Sequence, residues 1–310
     1  NFRLVKFPNL SAFILLKYIF SKYLKNFIIK IYNKFSKLEK PLWNIFVKDL
    51  QSNLIIYDKN ILYGSRNIHS LNNHEWADPF IFKYEEKEYV FFENNDLKLN
   101  RGKISCGILF KNELKNVKDI LKFDHHLSYP FIWKKGKDIY LMPESSANKS
   151  LTIWKSIQFP YKWKIYKTLF KNELCCDSTI LSDKKKNNWL FVNKSNDQTN
   201  DFTNELYVYK IIGDFKKIIP HNLNPVITNC EVARNAGFLK VKNHIIRVSQ
   251  INNSTGYGLG LNINKITNLN LKTFDEKIIK KIIPSKKNKV YGLHHISNIG
   301  NKIIFDVKKI

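Results

Sequence analysis

Arginine is scarce in this chain of 310 residues, and its scarcity limits which binding partners the positive net charge implies. Five arginines accompany 47 lysines, and the formal net charge is +26. Proteins that read DNA or RNA rely on arginine forks to bind phosphates and base edges. The lysines lie in every segment and form no recognisable binding motif, so we expect no nucleic-acid partner. An A/T-rich genome, an anionic membrane surface or an anionic sugar donor fits the same charge.

Cysteine and methionine are also rare. The four cysteines, Cys106, Cys175, Cys176 and Cys230, include no CxxC pair and no histidine cluster at metal-ligand spacing. We therefore expect no structural zinc, no disulfide scaffold, no cofactor and a reducing compartment. The sequence also lacks a nucleotide-binding GxGxxG or GxxxxGK[ST] motif. Because Met142 is the single methionine, we expect the chain to be a fragment or one domain of a longer protein.

Residues 1–40 differ in composition from the rest. Leu10 to Leu38 is apolar and aromatic but is interrupted by six lysines. A membrane-spanning helix needs about 18 or more apolar residues in a row, so no transmembrane segment is predicted. The pattern predicts a basic amphipathic helical segment or linker. It either lies on a membrane surface or docks on this domain or on a neighbouring one.

An internal repeat of β-type hairpins follows residue 41. Phe80, Phe131, Thr179, Gly237 and Ile296 occupy equivalent positions, with spacings of 51, 48, 58 and 59 residues. Periods near ~50 residues with several strands per unit are typical of propeller blades. Further strand-like runs lie at 104–110, 151–157, 205–212 and 258–266. Each repeat thus matches a blade of about four strands.

The last hairpin reaches almost to Ile310, so its outer strands must come from elsewhere in the chain. Trp43 to Lys48 and Leu54 to Tyr57 are strand-like and precede the first repeat. A ring closed by strands from both ends leaves no exposed sheet edge. We therefore predict an all-β, five-bladed propeller over residues 41–310.

Propeller geometry brings the first residues of the inner strands together on one face, around the central axis. The candidate catalytic residues are Asp78, Asp177, Glu144 and Glu231, and the candidate substrate-binding residues are Arg234, Asn235, His295, Tyr129 and Trp76. A site rich in hydrogen-bonding groups beside aromatic rings suits a sugar. His294 and His295 are adjacent, so at most one of them is expected to line the site.

Several motifs resemble a known family. Met142-Pro143-Glu144-Ser145-Ser146, the later Phe159-Pro160 and Trp163, and the segments around Asp78, Asp177 and His295 are similar to propellers related to the N-terminal domain of glucosamine inositolphosphorylceramide transferase. The resemblance covers about residues 70–305. It implies a carbohydrate-related role, often within a multidomain protein that builds surface glycans or glycolipids.

The wider fold resembles family 43 glycoside hydrolases, and this resemblance implies which residues hydrolysis would require. In that pattern an Asp of the first blade is the general base, an Asp of the third tunes pKa, and a Glu of the fourth is the general acid. Asp78 and Asp177 match, but Arg234 or Asn235 holds the acid's position. An arginine cannot donate a proton at neutral pH, so hydrolysis would require Glu231.

Three functional hypotheses follow. Glycosyl transfer would use Arg234 and His295 to hold an anionic group, with Asp78 or Glu144 as the base. A non-catalytic sugar-recognition domain and a glycoside hydrolase are the alternatives. The expected partners are a sugar or sugar nucleotide, a lipid-linked acceptor, a fused glycan-biosynthesis domain and a peripheral contact at the cytoplasmic membrane face. Structural roles also remain open, since Asp78 and Asp177 can cap turns and Arg234 can pair with Glu231 or Asp177.

Overall fold

The computed structural model describes residues 40–51, 60–195, 201–241, 244–254, 256–285 and 289–310. The predicted basic helical segment before residue 40 and the predicted strand 54–57 lie outside these residues. Across the described ranges, no helix is long and apolar enough to cross a membrane. The strands form five sheets, which confirms the predicted all-β five-bladed propeller.

The first three blades each run outward from an inner hairpin. Blade one contains β3 (His74–Tyr84), β4 (Lys87–Asp96), β5 (Arg101–Phe110) and β6 (Glu113–Leu121). Blade two contains β7 (Ser128–Lys135), β8 (Asp138–Glu144), β9 (Ser150–Gln158) and β10 (Lys162–Lys171). Blade three contains β11 (Leu174–Ser182), β12 (Asn188–Ser195), β13 (Glu205–Ile212) and β14 (Lys217–Pro220), with β15 (Ile227–Thr228) beside β13.

The last two blades are less regular. Blade four contains β17 (Ile246–Asn253), β18 (Gly256–Leu269) and β19 (Phe274–Ile282). Blade five contains β21 (Ile296–Ile299), β22 (Lys302–Lys309), β1 (Leu42–Asp49) and β2 (Arg66–Ile68), with β16 (Gly237–Phe238) against β21 and β20 (Val290–Gly292) against β22.

Burial explains why the second strands of the blades carry long apolar runs. The second strands β4, β12 and β22 each carry at least four consecutive buried residues. Such strands lie between two neighbouring blades, so both of their faces are covered. By contrast β1 alternates between buried and half-buried side chains, as expected of a strand further from the axis.

Strand β1 closes the ring. It pairs antiparallel with β22 along its whole length, from Leu42 opposite Lys309 to Asp49 opposite Lys302. The first described strand of the chain and the last one thus belong to a single blade. Their pairing joins segments that are far apart in sequence and covers the edge of β22.

The fourth hairpin differs from the regular hairpin that the repeat predicts. Only Gly237 and Phe238 form a strand there, and they pair parallel with Ile296 and Ser297 of blade five. Gly237 has φ +106°, and a Cβ at this position would lie 2.0 Å from the carbonyl oxygen of Ile296. Within its own hairpin the inner segment of the fourth repeat keeps only the isolated bridges Asn235–Ser249 and Val241–His244 among the described residues, and a glycine lets it approach the next blade closely.

Candidate functional site

Three inner strands contain a bulge at the same place. The pairing register shifts between Ala77 and Phe80 in β3, and equivalent shifts occur in β7 and β11. The first residue inside each shift has a left-handed backbone: Asp78 (φ +50°), Tyr129 (φ +45°) and Asp177 (φ +44°). A bulge redirects the side chain that it carries. The repeat thus places three strained, non-glycine residues at the axial end of blades one to three.

Side-chain oxygens from neighbouring blades hold these backbones. Oδ2 of Asp306 accepts the backbone N–H of Asp78 at 3.0 Å, and Oδ2 of Asp78 accepts that of Tyr129 at 3.2 Å. Oδ1 of Asn193 accepts the backbone N–H of Asn235 at 2.8 Å. Each of these contacts joins two successive blades, so the blade starts are braced against one another.

His294 belongs to a compact charged cluster with Asp78 and Asp306. Its Nδ1 lies 2.6 Å from Oδ2 of Asp306 and 4.0 Å from Oδ1 of Asp78, and all three side chains are buried. Burial alone lowers the pKa of His294, but the Asp306 carboxylate outweighs it and raises that pKa to about 9. Burial raises the pKa of Asp78 well above its usual range, although His294 opposes this. The cluster therefore holds a cationic imidazole and favours a neutral Asp78.

Arg234 and Asp177 form the second charged pair. Nε of Arg234 donates a hydrogen bond of 2.6 Å to Oδ2 of Asp177, and the side chains are 15% and 3% exposed. Burial lowers the pKa of Arg234, but Asp177 outweighs it and keeps the guanidinium charged. The Nη groups of Arg234 make no hydrogen bond to any of the described residues. They remain as a two-pronged donor for an anionic oxygen.

Glu144 ends the second strand of blade two and lies beside this pair. Burial and the nearby Asp177 raise its pKa to about 7, while Arg234 and a hydrogen bond from Ser146 oppose the rise. The Ser146 hydroxyl donates to Oε1 of Glu144 at 2.7 Å. A carboxyl with a pKa near neutrality can both accept and release a proton at physiological pH.

Tyr257 covers the charged groups with an exposed ring. The residue is 42% exposed, and its ring lies 4.8 Å from the Arg234 guanidinium carbon and meets His294 edge to face at 5.5 Å between centroids. Gln250 donates a weak hydrogen bond of 3.4 Å to its hydroxyl. An exposed aromatic face beside hydrogen-bonding groups is the arrangement on which sugars stack. The residue lies in a glycine-rich run, between Gly256 and Gly258 at the start of β18.

Within the described residues, two groups of side chains have ligand atoms close enough to hold a cation. They are Asp78, His294 and Asp306, and Glu144, Cys176 and Asp177, each within 4.8 Å. In the first group His294 is already cationic and Asp306 accepts three backbone N–H groups. In the second, Arg234 already pairs with Asp177. Both groups are therefore neutralised by protein cations, and a metal would have to displace them.

The structure places the two adjacent histidines in different surroundings. His295, which sequence analysis selected, is fully buried, and neither ring nitrogen has a hydrogen-bond partner among the described residues. Its ring packs edge to face on Phe80 and Tyr129, and burial lowers its pKa to about 3. It is therefore a neutral packing residue. His294 points toward the carboxylates instead.

Three other residues predicted to bind substrate form hydrogen bonds within the protein instead. The Tyr129 hydroxyl accepts the N–H of Gly237 at 2.8 Å inside the core, and the Trp76 indole donates to Asn94 at 3.2 Å from a 2% exposed position. The side-chain N–H group of Asn235 donates to the backbone oxygen of Asp177, and its oxygen accepts from Arg247. Each of the three side chains is buried and already bonded to the protein, so none of them is placed to bind a ligand.

Glu231 stands apart from the other predicted acids. Its side chain is exposed, and no ion pair or side-chain hydrogen bond joins it to the described residues. Its backbone N–H donates to Asn229 and its carbonyl accepts from Asn262. The axial cluster therefore comprises Asp78, Asp177, Glu144 and Arg234, as the sequence predicts, together with His294, Asp306 and Tyr257, which the sequence analysis did not select.

Comparison with known proteins gives a family match over most of the propeller. Residues 58–296 match the sequence model described as "Glucosamine inositolphosphorylceramide transferase 1, N-terminal". Glucosamine inositolphosphorylceramide transferase 1 of Arabidopsis thaliana is 29% identical over 213 residues, and its counterpart in Oryza sativa subsp. japonica is 27% identical over 207. Each alignment covers 64% of this chain. The chain spans about a quarter of these relatives, at 26% and 27% of their lengths.

Solved structures share the fold at low identity. A thermostable family-43 glycoside hydrolase is 14% identical with a TM-score of 0.57, over 77% of this chain and 85% of that chain. The catalytic domain of Coprinopsis cinerea GH62 α-L-arabinofuranosidase is 9% identical with a TM-score of 0.51, over 77% of this chain and 92% of that chain. These likenesses establish the five-bladed architecture and do not extend to the reaction.

Proposed function

The chain belongs to the glucosamine inositolphosphorylceramide transferase N-terminal family, and from this premise we propose that its axial site transfers a glycosyl group. Family membership and the propeller fold support a carbohydrate-related function. The finer proposal is transfer from an anionic sugar donor, such as a sugar nucleotide, to a hydroxyl acceptor. It belongs to the assembly of a cell-surface polysaccharide or glycolipid, at the cytoplasmic face of the membrane, together with further domains of a longer protein.

One observation carries the proposal: a free guanidinium fork lies beside a carboxyl group with a pKa near neutrality. Asp177 holds Nε of Arg234 at 2.6 Å, which orients the fork, and the Nη groups make no hydrogen bond to the described residues. Glu144 lies beside the same Asp177 and has a pKa of about 7. A fork and a base in one site are what transfer from an anionic leaving group requires.

The residues then have distinct roles. Arg234 binds the phosphate of the donor and stabilises the charge that develops on it as the glycosidic carbon–oxygen bond breaks. Glu144, in its ionised form, takes the proton of the acceptor hydroxyl as that oxygen bonds to the sugar carbon. Tyr257 supplies the face on which the sugar stacks. Glu144 is preferred to Asp78 as the base because burial favours the neutral form of Asp78.

Hydrolysis remains the second candidate, since Glu144 in its protonated form is equally placed to act as an acid. Arg234 occupies the position of the fourth-blade acid, and the exposed Glu231 side chain has no hydrogen bond or ion pair with the described residues. Sugar recognition without catalysis is the third candidate function. It would leave the raised pKa of Glu144 without a chemical use.

A ligand-binding panel tests the proposal. UDP-, GDP-, CMP- and dTDP-sugars are compared with their free nucleotides and free sugars by thermal shift, at physiological salt to suppress nonspecific attraction to lysines. We expect one sugar nucleotide to stabilise the protein beyond its nucleotide alone, and Arg234→Lys to weaken that effect while retaining the charge. Stabilisation by free sugars or glycans only, insensitive to Arg234→Lys, would reject a donor site.

A further inference from the structure

A cavity lies at the end of the propeller axis opposite to the charged cluster. It measures about 1020 Å³ and is lined by the far ends of the innermost strands of blades one, two, three and five and by the segments on either side of residues 242–243. This volume reaches the upper end of the range of about 300 to 1000 Å³ that is usual for ligand sites. None of Asp78, Glu144, Asp177, Arg234 and His294 lines it. The cavity is therefore distinct from the proposed transfer site.

An aromatic plug separates the two. Phe80 and Phe131 form part of the cavity wall and meet edge to face at 5.7 Å between centroids. Behind Phe80 lie Tyr129 and His295, at 5.1 Å and 4.5 Å from its ring centre. All four side chains are at most 3% exposed. A ligand in the cavity would contact this plug and would not reach the charged cluster beyond it.

The cavity wall is apolar, and part of it remains open to solvent. Trp133, Ile180, Phe238 and Ile299 line it and are only partly buried. Trp133 and Phe238 flank Phe131, with ring centres 5.5 Å and 5.8 Å away. Aliphatic and aromatic side chains in contact with water favour an apolar occupant.

Most polar groups in the wall are already bonded to the protein. Ser297 bridges Ile81 and Pro79, Asn298 bonds the backbone of Lys240, and Ser182 donates to Asn188. Asp214 is paired with Lys135 at 2.6 Å and accepts from Tyr166. A sugar needs many free donors and acceptors, and these side chains provide few. The wall therefore suits an aliphatic chain better than a carbohydrate.

The rim carries unpaired positive charge. Lys134 and Lys240 line the cavity, are exposed, and make no ion pair with any residue in the described ranges. Lys134 lies 5.9 Å from the centre of the Tyr84 ring, and no other cation–aromatic contact within those ranges engages either residue. The single carboxylate of the described wall, Asp214, is neutralised by Lys135. The cavity thus presents an apolar interior beneath a cationic mouth.

We propose that this cavity binds an amphiphile with an aliphatic chain and one anionic head group. The chain occupies the apolar interior between Trp133 and Phe238, and the head group, a carboxylate or a phosphate, contacts Lys134 and Lys240. The site requires no catalytic step and is independent of the transfer proposed for the other end of the axis. Failure of either proposal leaves the other intact.

Tryptophan quenching by 12-bromododecanoate tests this directly. Trp133 is the one tryptophan of six that lines the cavity, so a bound bromine quenches its fluorescence. We expect saturable quenching that Trp133→Phe removes. Dodecyltrimethylammonium, which has a chain of equal length and the opposite charge, should compete at least about threefold more weakly than dodecanoate. Three results would contradict the proposal: quenching that does not saturate, quenching that persists in Trp133→Phe, and equal competition by dodecanoate and dodecyltrimethylammonium.

Two pairs of lysine variants distinguish binding at the cavity mouth from a general effect of positive charge. Lys134→Gln with Lys240→Gln should raise the dissociation constant about threefold or more, whereas Lys162→Gln with Lys164→Gln, on the exposed outer strand β10, should leave it unchanged. Ser182→Phe, at the exposed mouth, should block binding while thermal unfolding confirms the fold. Equal effects of the two lysine pairs, or unchanged binding by Ser182→Phe, would contradict the proposal.

Competition then identifies the source of the ligand. Displacement of 12-bromododecanoate by monomeric dodecanoate alone indicates a free fatty-acid type of ligand. Displacement also by a monomeric short-chain diacyl phosphatidate indicates a membrane lipid. Displacement by neither would overturn the proposal.

Discussion

Oδ2 of Asp177 accepts a hydrogen bond of 2.6 Å from Nε of Arg234, although the two residues are 57 positions apart in sequence. The contact has two consequences. It pairs a strained, left-handed aspartate with a cation, and it leaves the Nη groups of Arg234 without a hydrogen bond to the described residues. The same Asp177 raises the pKa of the adjacent Glu144. One carboxylate thus orients the anion-binding group and tunes the proposed base.

Replacing Glu144 by glutamine should abolish turnover. The Glu144→Gln side chain keeps the size and the hydrogen bond from Ser146 but cannot take a proton, so we expect a loss of about 10²- to 10⁴-fold in kcat with donor affinity within a few-fold. Nucleotide release by the purified chain and calorimetric binding measure the two quantities. Glu231→Gln is the matched control and should leave both unchanged. A severe loss in Glu231→Gln and none in Glu144→Gln would instead support hydrolysis with Glu231 as the acid.

Stability should fall between neutral and alkaline pH because of His294. Its folded-state pKa of about 9 exceeds the unfolded value, so its contribution is fully present below about pH 6.5 and disappears as pH rises through 9. The expected loss is on the order of 3 kcal/mol. Urea unfolding at a series of pH values measures it.

The matched variants for this effect are Asp306→Asn and His126→Asn. Asp306→Asn removes the carboxylate that raises the pKa of His294, so it should flatten the decline between pH 6.5 and 9. His126 also has a raised pKa, through Glu93, but lies outside the cluster. If the decline in stability persists in Asp306→Asn and vanishes in His126→Asn, it arises from His126, and its attribution to His294 is wrong.

The sequence predicted the framework better than the chemistry of the site. Five hairpins with regular apolar runs identify the blades, and the residues that begin them include Asp78 and Asp177. The sequence analysis selected His295, but His294 is the residue that meets Asp306, and only the tertiary structure shows this. Strand periodicity cannot supply that information.

Of the site residues that the sequence analysis did not select, Asp306 had a recognisable sequence feature. Asp306 interrupts the apolar run of β22, and a charged residue within a fully buried strand needs partners. Tyr257 lies among glycines, which gave no sign of an exposed ring. Burial and Asp177 raise the pKa of Glu144 and Arg234 opposes the rise, and both of these residues belong to other parts of the chain. No local pattern reports such contacts.

Gly237→Ala should destabilise the propeller severely. The new Cβ would lie 2.0 Å from the Ile296 carbonyl oxygen, in a backbone of φ +106°. We expect a loss on the order of 3 kcal/mol or more in the free energy of unfolding. Gly136→Ala is the control, because its φ is +60° but no atom lies within 4 Å of the added Cβ. It should cost about 1 kcal/mol. Equal losses for the two variants would show that the contact between β16 and β21 is not tightly packed.

The pH dependence of turnover tests the central claim most directly. With the sugar nucleotide that binds best, the rate of nucleotide release should rise with pH through about 7, as Glu144 loses its proton and becomes a base. Ser146→Ala removes a hydrogen bond that lowers the pKa of Glu144, so the midpoint should move to higher pH. A rate that falls as pH rises through 7 would make Glu144 an acid and favour hydrolysis, and a midpoint unchanged in Ser146→Ala would contradict its role altogether.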